Sequence, residues 1–174
     1  MKARTFLFIV LSCLLVVGCK KSQNEPEEPL PQETPTVITE EQLMSYFPYQ
    51  NGDRILFERY DLAKVIYTVE DVKTSKDAGK IHLDISMSGT EYLDPTAPYY
   101  ITLTAEVTDK QFKIDFSQQV YVFPATKGNY VYVGKGEELP ETITLSNNAV
   151  IKKDKGLIYY KDADSGEWNF LKRL

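Results

Sequence analysis

Cysteine runs out at residue 19. The chain of 174 residues holds two, Cys13 and Cys19, and none afterwards. Everything beyond them therefore lacks disulfides, thiolate metal sites and a cysteine nucleophile. Histidine is scarcer still, with His82 the single example. A zinc or redox-metal centre would rest on carboxylates that the sequence does not cluster, so no metal and no cofactor is expected. There is no basic run. Acidic side chains number 25 against 20 basic ones, which argues against nucleic acid as a partner and against electrostatic docking on anionic lipid. A phosphate-binding glycine loop is also missing, because Gly134-Lys135-Gly136 leads straight into Glu137 and Glu138. The longest apolar stretch, Phe6 to Gly18, falls short of the ~20 residues a membrane-spanning helix needs.

That stretch has another use. Lys2 and Arg4 precede it, no acid interrupts it, and it ends on a small residue directly before Cys19. These are the parts of a secretory signal peptide. Leu15-Val16-Val17-Gly18-Cys19 resembles the lipobox of bacterial lipoproteins. The resemblance implies that residues 1–18 are removed, that the Cys19 thiol carries a diacylglyceryl group and that its new amine is acylated. Several acyl chains, at ~0.8 kcal/mol per buried methylene, anchor a protein stably. The expected location is the cell envelope, with the outer membrane, on its periplasmic face or at the cell surface, as the membrane partner. Losing Lys2 and Arg4 leaves 18 of the 20 basic side chains against 25 acidic ones, a net charge of −7.

Residues 19–36 read as a lipidated cysteine and a tether. Pro26, Pro29, Pro31 and Pro35 alternate with Glu25, Glu27, Glu28 and Glu33, and only Leu30 could join a core. Residues 37–174 read as a single domain. Thr39-Glu40-Glu41-Gln42 is a capping box that opens a short N-terminal helix ending before Pro48. From Asn51-Gly52 onward the apolar period is two. Ile81, Leu83, Ile85 and Met87 alternate with polar residues, as do Ile101, Leu103, Ala105 and Val107, then Phe112, Ile114 and Phe116. Further strands are predicted near 54–60, 64–73, 119–123, 129–133, 141–145, 148–152, 156–161 and 166–172. Short turn signals between them favour an all-β antiparallel meander, either an up-and-down barrel or a lipocalin-like curved sheet; a two-layer β-sandwich is the alternative.

Tyr46-Phe47-Pro48-Tyr49-Gln50-Asn51-Gly52-Asp53 with Ile55-Leu56-Phe57, and Gly156-Leu157-Ile158-Tyr159-Tyr160-Lys161-Asp162 with Trp168, resemble the two ends of small β-rich lipoproteins of the Bacteroidetes type. An acidic stretch soon after the lipidated cysteine resembles their surface-export signals. The resemblance implies fold and location and carries no catalytic residue.

Candidate chemistry is sparse. His82, Asp84 and Ser86 are triad residue types, but strand neighbours of one face stand ~6.6 Å apart and diverge. Asp162, Asp164 and Glu167 hint at a calcium loop, yet an EF-hand count from Asp162 puts Glu167 and Arg173 where glycine and a carboxylate belong. A polar hairpin fits them better. Aromatic residues are the unusual feature, at 12 % of the chain. If 119–123 pairs with 129–133 through a turn at Pro124 to Gly128, then Tyr121, Phe123, Tyr130 and Tyr132 share one face, a candidate platform for a ligand or partner. Val120, Val122, Val131 and Val133 then face the core. The functional expectation is a non-enzymatic envelope lipoprotein that binds a glycan, a small apolar ligand or a protein partner. The rivals are a carrier with an apolar ligand in a barrel cavity and a hydrolase with an unrecognised site.

Overall fold

The structure, a computed structural model, describes residues 38–92, 95–109, 111–120, 125–133, 139–146, 149–162 and 166–174. It is 67 % strand. Among the described residues one helix comes first, α1 (Glu40–Tyr46), followed by ten strands. The first five are β1 (Arg54–Arg59), β2 (Lys64–Asp77), β3 (Lys80–Glu91), β4 (Pro98–Val107) and β5 (Gln111–Val120). After them come β6 (Thr126–Val133), β7 (Thr142–Thr144), β8 (Val150–Lys152), β9 (Gly156–Asp162) and β10 (Gly166–Arg173).

The capping box at the start of α1 forms as the sequence predicts. Thr39 Oγ1 accepts from the Gln42 N–H at 3.2 Å, and Gln42 Oε1 accepts from the Thr39 N–H at 2.8 Å. Leu43 and Tyr46 give the helix its buried side. Beyond it every strand pairs antiparallel with its sequence neighbour, except β6 with β7, and β1 also pairs with β10. The result is one ten-stranded meander curled nearly into a closed barrel, so the sandwich alternative does not apply. Strict alternation explains the curl. Each of β3, β4 and β5 buries every second residue, which puts a continuous apolar surface on one side of the sheet, and rolling the sheet up covers that surface with itself.

The two unpaired edges, β6 and β7, meet at a seam. Near Asn129 they touch. The Ser146 N–H donates to Asn129 O at 2.9 Å, and the Ser146 hydroxyl accepts from the Asn129 N–H and donates to Asn129 Oδ1. Further along the seam, α1 supplies the filling. The Tyr46 hydroxyl donates to Pro140 O at 2.6 Å, and its ring lies 6.3 Å from Phe112, which in turn lies 6.2 Å from Tyr130. The helix thus wedges the seam and closes the barrel end where β5 begins and β6 finishes. At the same end, the Tyr49 hydroxyl accepts from the Leu157 N–H at 2.6 Å. Gly156 next to it has φ +81°, and any Cβ there would collide with the Tyr49 hydroxyl.

One sequence expectation is corrected. The predicted strands 112–116 and 119–123 are not separate. β5 runs unbroken from Gln111 to Val120 and pairs with β6 from Phe112 opposite Tyr132 to Gln118 opposite Thr126. Lys127 and Gly128, expected in the turn, lie within β6. Even-numbered residues of both strands point inward, so Val131 faces out, 49 % exposed, instead of into the core. Apolar residues on both faces do not require two strands here. Val131 stands at the surface, as single apolar residues commonly do.

Candidate functional site

The barrel axis is occupied by rings. Trp168 and Tyr160 stack with centroids 6.3 Å apart and planes inclined by 15°. Phe57 meets Tyr160 edge-on at 5.3 Å and Tyr67 at 5.8 Å, while Tyr99 meets Trp168 at 5.9 Å. Gly89 makes room for this cluster, since a Cβ there would stand 2.8 Å from the Tyr67 ring. Interlocking aromatic pairs of this kind add to the burial energy of each ring.

A few polar groups are enclosed with the rings. The Tyr67 and Tyr160 hydroxyls share a hydrogen bond at 2.8 Å, and Gln118 Nε2 donates to Asp162 Oδ2 at 3.4 Å. Gln118 and Asp162 are both buried. Asp162, one of the three acids of the would-be calcium loop, thus points into the barrel. Burial pushes the Tyr67, Tyr160 and Tyr49 phenols well above the ordinary tyrosine range, because the phenolate cannot be solvated. Tyr99 is pushed up to about 12, first by burial and then by the nearby Glu91 carboxylate, to which it donates at 3.2 Å. Arg59 covers the Trp168 ring at 5.1 Å and forks onto Asp61 with two bonds of 2.8 Å.

Outside the barrel there is open space. A trough of about 500 Å³ lies across β4, β5 and β6 and reaches Ser146 beyond the seam. Register builds its floor. Thr102 stands opposite Ser117, and Thr104 opposite Asp115. Asp115 in turn faces Asn129, and Ser117 faces Lys127. All of these point outward, and most are short. Longer side chains stand at both ends: Tyr100 and Gln119 form one pair, Glu106 and Lys113 the other. Short residues flanked by long ones on one sheet face leave a depression. Lys113 holds Asp115 by an ion pair of 2.6 Å, and this partner raises the lysine's pKa.

Of the four aromatic residues singled out in the sequence, Tyr121 and Phe123 lie outside the described residues. Tyr130 and Tyr132 are half-buried and pack inward against the core. They stand on the opposite face of β6 from the trough. His82 is on the outer face of β3, its Nδ1 3.4 Å from Glu106 of the next strand; Asp84 and Ser86 pair with Thr104 and Thr102 instead of with each other. Sequence reasoning missed the trough. Its signal was the run of short polar residues at the outward positions of three successive strands, which becomes visible once their register is known. No three potential metal ligands gather among the described residues, and no helix there is long and apolar enough to cross a membrane. No family model, no curated protein and no solved structure matches this chain.

Proposed function

We propose that this protein is a lipoprotein of the cell envelope, anchored to the outer membrane through Cys19, whose barrel binds a ligand or partner on its outer surface without turning it over. The observation that carries the binding half is the filled axis. Seating an apolar ligand inside would displace rings such as Trp168 or Tyr160, and emptying one such position costs about 3–5 kcal/mol. The outer trough needs no rearrangement to receive a ligand. The anchor half rests on Lys2, Arg4, the apolar run and the Gly18-Cys19 junction.

Both halves can be tested on the full chain in a bacterial host fed alkynyl-palmitate. The wild-type protein should take the label and need detergent for release, and Cys19→Ser should remain unlabelled. An unlabelled wild-type protein that is soluble without detergent would overturn the anchor. Trp168, the single tryptophan, reports on the interior. Titration with the apolar probe N-phenyl-1-naphthylamine should leave its fluorescence unchanged. Stoichiometric quenching would favour the carrier over the outer-surface binder.

A further inference from the structure

We infer that the trough across β4, β5 and β6 is a binding site for a neutral oligosaccharide, an inference that rests on the outer-surface reading above. Its dimensions fit. About 500 Å³ lies within the range of small-molecule sites, and an open site on a sheet face suits a ligand laid across it better than an enclosed one.

The chemistry narrows the class. The Thr102, Thr104 and Ser117 hydroxyls both donate and accept. Asp115 has Oδ2 on the Lys113 ammonium, and its other carboxylate oxygen is left to accept from a ligand hydroxyl. Asn129 spends its carbonyl oxygen on the Ser146 hydroxyl, which leaves its amide N–H groups for a ligand acceptor. A polyol meets such a mixed set of donors and acceptors with its own. Tyr100, 45 % exposed, is the next outward residue on β4 before Thr102. Its ring stands past the rim, where it lines a neighbouring outer depression with Thr68, Ser88 and Pro98, and a chain laid from the floor across that rim would meet it with the C–H face of a sugar ring.

Other ligand classes fit less well. A phosphate or acidic sugar would find one cation in the lining, Lys127, and beside it the Asp115 carboxylate paired with Lys113, which is why hexagalacturonate serves as the deciding control. An apolar ligand would gain from the apolar part of the lining but would desolvate the Asp115 carboxylate and the hydroxyls beside it. The backbone also suits the task, because antiparallel strands hold the floor residues in fixed register and few rotamers need ordering on binding.

The test is calorimetric titration of the detergent-solubilised full chain with neutral hexasaccharides of β-1,4-glucose, α-1,4-glucose, β-1,4-mannose and β-1,4-N-acetylglucosamine, and with hexagalacturonate as the acidic control. At least one neutral oligomer should bind saturably. Asp115→Asn should weaken it about tenfold, as loss of a charge-assisted acceptor does. Tyr100→Ala should weaken it several-fold, and Tyr100→Phe should keep it. Each variant's melting temperature is measured alongside, so that misfolding is not mistaken for lost binding. Three results would overturn the inference: no saturable binding by any neutral oligomer, preference for hexagalacturonate, or neutral binding that survives both Asp115→Asn and Tyr100→Ala. None of these touches the palmitate label or the Trp168 titration, so the anchored outer-surface reading stands or falls separately.

Discussion

The two faces of strands β4 to β6 do opposite jobs with the same backbone. Inward, Tyr99, Leu103, Phe112 and Phe116 are almost fully buried. Outward, one residue away along the chain, Thr102, Thr104, Asp115 and Ser117 stay in contact with solvent. Strand geometry makes this division possible, since successive side chains point to opposite sides. On the proposed reading it would let stability and recognition vary independently. A change on the inner face should be felt by the whole fold, and a change on the outer face by a ligand alone.

The sharpest way to test that division is to empty the axis. Trp168→Ala should cost about 3–5 kcal/mol, seen as a large fall in denaturant midpoint, because a stacked and fully buried ring leaves a cavity that its neighbours cannot fill. A loss below ~1 kcal/mol would mean that the axis is loosely packed and that the interior has room for an apolar ligand.

Alkali probes the same face. The Tyr67, Tyr160 and Tyr49 phenols titrate above 10 in the folded protein. Their stabilising effect is therefore complete below pH 10. It declines above that, as the unfolded chain releases protons that the folded one retains. Each tyrosine so held costs ~1.4 kcal/mol per pH unit. Melting temperature followed from pH 8 to 12 should be flat with respect to these groups up to about 10 and fall steeply beyond. Tyr160→Phe tests one hydroxyl directly. It should cost about 1–2 kcal/mol by leaving the Tyr67 hydroxyl without its 2.8 Å partner, and should make the alkaline fall shallower. On the outer face, Val131→Ala and His82→Ala should each change stability by less than ~0.5 kcal/mol in the same melts. A larger loss at Val131 would show that the outer side of β6 is covered after all.

Much of the architecture was legible because its rules are local. The α1 capping box needs only Thr39 and Gln42 three positions apart. The strands announce themselves through a period of two, and Asn51-Gly52 marks where the period begins. The β5–β6 region was illegible for the complementary reason. Val120 is inward, and so are Tyr130 and Tyr132, while Val131 is outward. Which alternation is the inner one depends on register against β4 and on the α1 wedge at the seam. Tyr46 supplies that wedge from 84 residues upstream of Tyr130. The outer trough was hidden for the same reason. Thr102, Asp115 and Asn129 are ordinary solvent-face residues until pairing sets them side by side.

The amino-acid sequence alone determined the elements: a capped helix, strands of alternating character and most of the turns between them. It also carries the whole argument for the lipid anchor, which lies in a contiguous stretch ending at Cys19. Only the tertiary structure decided that the sheet curls into a nearly closed barrel, that rings fill its axis, and that helix α1 closes one end. It alone placed the open space on the outside. The physical reason is distance along the chain. Periodicity, capping and turn chemistry act over a few residues and can be read in order. Register and curvature are set by contacts between residues far apart in sequence, such as the Tyr67–Tyr160 hydroxyl pair and the Asn129–Ser146 clasp, and those contacts exist only once the chain has folded.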